Sequence, residues 1–161
     1  MIECTLESGR KATPGFRHVT VGVIAFNSDN QVLLIKRSKK YSRPGKYSVP
    51  GGFLDRDETA SVAALRELKE ESGYEGELIA LFHLNDYPNR PNEDRQNIDF
   101  IYLAKVKNGE FQKNDEIESI KWADKNSLPP EEEFAFDHRK TILKAYEYLE
   151  KPFTLPLVGE L

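Results

Sequence analysis

The chain is poor in several things, and each shortage excludes something. A single cysteine, Cys4, in 161 residues rules out an internal disulfide framework and a cysteine-rich zinc site, and it suits a reducing compartment. No apolar run approaches the roughly 18 residues of a membrane-spanning helix. The opening MIECTLESGRK lacks the apolar stretch of a secretory signal. Positive charge is not in excess: 23 Lys and Arg against 27 Asp and Glu leave a net charge of −4. A domain that grips nucleic-acid backbones usually carries a basic stripe, so neither a nucleic acid nor a membrane is expected as partner, and any nucleotide handled should be small. The expectation is a soluble cytoplasmic protein. What the chain does have, 39% hydrophobic and 11% aromatic residues, is enough for a core, and its length points to one domain over residues 1–161.

Two β-rich runs, VTVGVIAF at 19–26 and VLLIK at 32–36, flank the turn formers Asn27, Ser28, Asp29 and Asn30 and read as a hairpin. Pro44, Gly45, Pro50, Gly51 and Gly52 then interrupt the backbone around a short YSV segment. A helix is expected from about Asp57 to Ser72, capped by Asp55 or Asp57 and ended by Gly73. Strands are expected near 77–84, 98–106 and 118–122. A last helix over about 136–150 would place Ile142, Tyr146 and Leu149 on one face. Strands mixed with two helices define an α+β or layered domain. The polar stretch 85–97 is the longest connection, and such loops are functional or loose.

The chemistry concentrates in GFLDRDETASVAALRELKEESGY, residues 52–74. At 100° per residue, Glu67, Glu70 and Glu71 share one helix face with Ala60, Ala63 and Ala64, while Val62, Leu65 and Leu68 point roughly the other way, toward the expected sheet. Like charges at that spacing repel by a few tenths of a kcal/mol per pair. Arg66 can reach Glu70 and relieve part of this, and the remaining negative charge suits Mg²⁺, with Mn²⁺ as substitute. Such an ion takes one or two carboxylates plus substrate phosphates. An acidic helix face is often merely solvated, so the spacing has to decide.

Gly52, Glu58, Arg66, Glu67, Leu68, Glu70, Glu71 and Gly73 follow the pattern G, five residues, E, seven residues, R-E-U-x-E-E-x-G-U, with U aliphatic. Here the chain closely resembles the Nudix hydrolases, and GKYSVPGGFLD, the loop with Arg90 and Arg95 and the late FDHRKTI segment look similar to the ADP-ribose pyrophosphatase branch and its nucleotide-sugar relatives. The one departure is Tyr74 at the last U position. HVTVGVIAF, QVLLIKRS, GKYSVPGG and IKWADKNSLP also resemble the family's frame, so the likeness covers most of the chain.

The resemblance implies a Nudix-type α/β/α sandwich with a mixed central sheet and two main helices, the box spanning 52–74. It implies metal ligation by Glu67, Glu70, Glu71 and the Gly52 carbonyl, with Arg66 orienting the glutamates. Glu58 would hold a further water or metal, or simply favour the helix start. The general base would be Glu70, or Glu116 from a later loop. Substrate contacts would come from Arg90 and Arg95 on phosphate, and from Phe16, Phe53 or Tyr87 against a base. His138 would face the site or serve only the helix end. The implied reaction is divalent-metal-dependent hydrolysis of a nucleoside diphosphate derivative, ADP-ribose first. The alternatives are a nucleoside triphosphate or dinucleotide polyphosphate and, in another class, a non-catalytic nucleotide-sensing module. A homodimer, paired through the sheets or through residues 1–17, is also compatible.

Overall fold

In a computed structural model, the described residues are 4–5, 11–12, 17–40, 42–90 and 96–161, with Cys4–Thr5 and Lys11–Ala12 described as backbone only. The strands are β1 (Cys4–Thr5), β2 (Lys11–Ala12), β3 (His18–Phe26), β4 (Val32–Arg37), β5 (Tyr47–Ser48), β6 (Gly51–Phe53), β7 (Tyr74–Asn85), β8 (Asn97–Gly109), β9 (Ile117–Ala123) and β10 (Leu157–Val158). The helices are α1 (Ala60–Ser72) and α2 (His138–Glu150). The main sheet runs β10-β7-β8-β3-β4-β5, with β6 added to β3 and β9 to β4. It is mixed: β3 and β8 are parallel, whereas β7 and β8, and β4 and β9, are antiparallel.

Side chains alternate across β3, and each face finds a different helix. Val21, Val23 and Ala25 pack with Ala63, Ala64 and Leu68 of α1, while Ile24 and Phe26 join Ile142, Ala145 and Tyr146 of α2. The result is the three-layered α/β/α arrangement expected from the sequence. Tyr74, the departure from the box pattern, stacks edge-on against Trp122 at 5.4 Å in the first of these layers. An aromatic residue is therefore accommodated there.

Three local expectations need correction. The helix starts at Ala60, not near Asp57, because Thr59 is the cap: its hydroxyl accepts the Val62 N–H. The buried face of α1 is also rotated from the expected one. Val62 is 55% exposed and Leu65 36%, whereas Ala63, Ala64, Leu68 and even Glu71 are buried. Two alanines let the helix axis approach the sheet closely, so the stripe of small residues, not the more hydrophobic one, turns inward. On α2, Leu149 stays largely exposed while Ala145 and Thr141 fill the inner face beside Ile142 and Tyr146. Gly73 ends α1 as expected, with φ 76° and its N–H bonded to the Lys69 carbonyl at 2.8 Å.

Candidate active site

The rotation of α1 brings its acidic residues against the double glycine. β6 lies antiparallel to β3, with Val21 opposite Gly52 and Gly22 opposite Gly51. The Gly51 N–H donates to Glu71 Oε2 at 2.7 Å. A Cβ on Gly52 would land on the Glu67 carboxylate, 2.7 Å from its Cδ. Only a strand without side chains there lets the helix place two carboxylates so close.

Arg66 organises the others. Its Nη1 donates to Glu67 Oε1 at 2.8 Å and Glu70 Oε2 at 3.0 Å, and its Nη2 donates to the Phe53 carbonyl at 3.2 Å. Nε and Nη2 grip Glu58 at 3.1 and 2.7 Å in a two-pronged pair, which sequence spacing did not suggest. Glu58 also accepts the Asp55 N–H at 2.9 Å, so it ties the loop before α1 to the helix. The Arg66 bonds hold the Glu58 carboxyl below its ordinary pKa, and Glu58 in turn drives the guanidinium above its own.

The carboxylates facing the sheet behave oppositely. Burial raises the pKa of Glu67, with repulsion from Glu70 and Glu116 adding to it. Burial pushes Glu71 up to about 8, reinforced by Glu67 and Glu116. Glu116, on the exposed loop before β9, therefore acts on the same field as the box glutamates although it lies far away in sequence. Among the described residues no three His, Cys, Asp or Glu side chains already converge as a metal cage. The donor chemistry nevertheless fits a hard divalent cation. Oxygen donors crowd together, burial and mutual repulsion disfavour their charged forms, and a cation would relieve both. Glu67, Glu70, Glu71 and the Gly52 carbonyl are the groups that would hold it.

Gly52, Glu67 and Glu70 line a cleft of about 560 Å³ that also reaches Glu116, Phe53, Arg90 and His138, while Glu71 is buried against Gly51. Phe53 presents a ring that is half exposed at the mouth, 5.5 Å from His18. Arg90 is not a solvated loop residue. It is buried, donating to Asp137 Oδ1 at 2.6 Å and to Asp99 Oδ2 at 3.1 Å. His138 lines the cleft and is also the first residue of α2. Its Nδ1 accepts the Val49 N–H at 3.3 Å, which places the ring proton on Nε2. Burial, helped by Arg90, lowers its pKa to about 3. Phe136, with φ 58° and its ring 5.5 to 5.8 Å from the guanidinium carbons of Arg37, Arg43 and Arg90, completes that wall. Nothing in local sequence pattern marked it. Tyr87 is half-buried near Asn85 and is not among the cleft-lining residues. Phe16 and Arg95 lie outside the described residues.

A helix bearing the R-E-L-K-E-E run, packed through alanines on a mixed sheet and facing a glycine strand, defines the class. The family model for the NUDIX domain matches residues 16–145, and the chain belongs to that family. It is 36% identical over 118 residues to an ADP-ribose pyrophosphatase of Methanocaldococcus jannaschii, covering 73% of this chain and 66% of that protein. It is 30% identical over 108 residues to a putative 8-oxo-dGTP diphosphatase of Bacillus subtilis, covering 66% of each. The chain thus spans just under two thirds of the length of these relatives. Among solved structures it is similar to a NUDIX hydrolase from Nitrosomonas europaea, with TM-score 0.79 and 22% identity over 95% of this chain and 82% of that one. Among the described residues, no helix is long and apolar enough to cross a membrane.

Proposed function

We propose that this chain, as a single NUDIX domain, is a divalent-metal-dependent pyrophosphohydrolase that cleaves the diphosphate linkage of a nucleoside diphosphate derivative, ADP-ribose first. One observation carries the reading: Glu67, Glu70 and Glu116 line the same cleft, and with buried Glu71 their carboxyl groups crowd beside the double glycine, where burial and mutual repulsion disfavour charge without a cation. Similarity to the archaeal ADP-ribose pyrophosphatase supports the substrate class.

The residues divide the work as follows. A bound Mg²⁺, or Mn²⁺ in its place, would neutralise the diphosphate oxygens and stabilise the leaving phosphate. Glu67, Glu70, Glu71 and the Gly52 carbonyl would hold it. Arg66 positions Glu67 and Glu70 and, through Glu58, fixes them to the loop before α1. Glu70, the more exposed of that pair, takes the proton from the attacking water, with Glu116 as the second candidate. Phe53 offers an aromatic face to the base at the cleft mouth. Arg90 shapes the opposite wall.

Products test this reading. Chromatography of a reaction with ADP-ribose and Mg²⁺ should show AMP and ribose 5-phosphate in equal amounts. Similarity to the bacterial 8-oxo-dGTP diphosphatase favours a second reading, a triphosphate pyrophosphohydrolase, which would instead release diphosphate from a nucleoside triphosphate. Absence of cleavage across nucleotide sugars, triphosphates and dinucleotides would leave only the sensing module.

A further inference from the structure

The cleft wall formed by β3 and β8 holds hydrogen-bonding capacity that the fold itself does not use. β3 and β8 run side by side with Thr20 opposite Asp99, and both residues line the cleft. Asp99 is 5% exposed. One of its oxygens, Oδ2, accepts from Arg90, but Oδ1 is buried and has no partner. Thr20 Oγ1 and Asn97 Oδ1 on the same stretch are likewise buried and unbonded. Protein interiors rarely leave such acceptors unsatisfied, because an unmade bond forfeits the hydration given up on burial. Next to them the sheet carries Gly22, where a Cβ would meet only ordinary contacts and would lie 3.9 Å from Asp99 Oδ1. The missing side chain leaves space beside the carboxylate.

We propose that Asp99 Oδ1 and Thr20 Oγ1 accept hydrogen bonds from an uncharged donor-bearing part of the nucleotide substrate, a sugar hydroxyl or a base amino group, and thereby orient it in the cleft. The inference deepens the proposed function and rests on it. Charge gives the direction. A carboxylate repels phosphate, so the diphosphate belongs against Arg66 and the cation-binding glutamates and not against Asp99. A substrate with an acceptor or a phosphate against Asp99 is rejected because its lone pairs would face those of the carboxylate.

Asp99→Asn is the informative variant. Arg90 Nη1 donates toward this side chain at 3.1 Å and holds the amide's carbonyl, so the amide's NH₂ faces the cleft where an acceptor stood. KM for ADP-ribose should rise roughly 10- to 100-fold, with the larger part of the loss in KM and not in kcat. Thr20→Val, nearly isosteric and suited to a strand, guards against misfolding of the first variant and should raise KM several-fold. Substrate analogues identify the donor. IDP-ribose removes the base amino group, while 2′-deoxy and 3′-deoxy forms of the nucleoside remove single hydroxyls. One of them should lose as much with the wild-type protein as ADP-ribose loses with Asp99→Asn, and should lose nothing more with the variant. If the wild type turns over ADP-ribose but Thr20→Val and every analogue match it in KM, the inference is overturned while the function stands. If the wild type cleaves no nucleotide, the function fails, and calorimetric binding of ADP-ribose against its deoxy forms decides the inference: equal or absent binding overturns it.

Discussion

Gly51 and Gly52 are neighbours, yet alanine at each should produce opposite lesions. At Gly52 the new Cβ would meet the Glu67 carboxylate, 2.7 Å from Cδ and 2.9 Å from Oε2. The obstacle is the end of a flexible side chain. Ordinary contact begins near 3.4 Å, so the carboxyl carbon must retreat by at least 0.7 Å, the difference between those two distances. Gly52 is not in the left-handed region, so its backbone accepts alanine. Stability should change by about 1 kcal/mol or less. Catalysis should suffer more, because a misplacement near 1 Å costs up to about 10²-fold. We expect kcat to fall roughly 30- to 100-fold, about 2 to 2.7 kcal/mol of transition-state stabilisation. At Gly51 the Cβ would run into the Val21 carbonyl and lie 3.0 Å from the Gly22 Cα, both backbone. Overpacking that cannot relax costs about 1 to 3 kcal/mol. Thermal melts by circular dichroism and phosphatase-coupled rates of phosphate release from the ADP-ribose products read both variants. A Gly52→Ala protein with wild-type kcat, or one destabilised as much as Gly51→Ala, would show that Gly52 does not serve to place Glu67.

Other perturbations follow from the same geometry. Glu70→Gln should abolish measurable turnover while leaving the melting curve unchanged, since the Glu70 side chain is 58% exposed and contributes one of several Arg66 bonds; near-wild-type hydrolysis would remove its role as base. Arg66→Lys should lose most activity, because an ammonium cannot grip Glu58 with two prongs and reach Glu67 and Glu70 as well; kcat within a few-fold of wild type would count against the positioning role. His138 stays neutral when folded to about pH 3 but takes a proton when unfolded below about 6.5. The unfolded chain therefore binds more protons across that window, and stability should fall as pH drops through it, by up to about 1.4 kcal/mol per pH unit. Asp137, held low by Arg90 against its burial, adds in the same sense below its ordinary value of 3.8. Urea midpoints at pH 7 and pH 5 should differ less for His138→Gln than for the wild type, and an identical decline would exclude His138 as the source.

Legibility in the sequence followed the range of the interactions. The β3–β4 hairpin was plain, since alternation and the Asn27–Asn30 turn are local. Arg66, Glu67, Glu70 and Glu71 were plain because their spacing lies within one helix. The inward face of α1 was misjudged because hydrophobicity favours Val62 and Leu65, whereas close helix–sheet contact favours Ala63 and Ala64. The two-residue strands β5 and β10 carry too little pattern to register. The Arg90–Asp99–Asp137 network and the acceptors at Thr20 and Asp99 exist only because β3 and β8 pair in parallel across more than seventy residues of sequence, and no local signal encodes that.

The proposed hydrolysis requires the glutamates of α1 to hold a divalent cation in the cleft. Titration of Mn²⁺ followed by electron paramagnetic resonance tests it without requiring turnover. The wild type should remove free Mn²⁺ from solution at a saturable site, and Glu67→Gln combined with Glu70→Gln should abolish that site without lowering the melting temperature by more than a few degrees. A wild-type protein that leaves all the Mn²⁺ free, or a double variant that binds it equally well, would contradict the account.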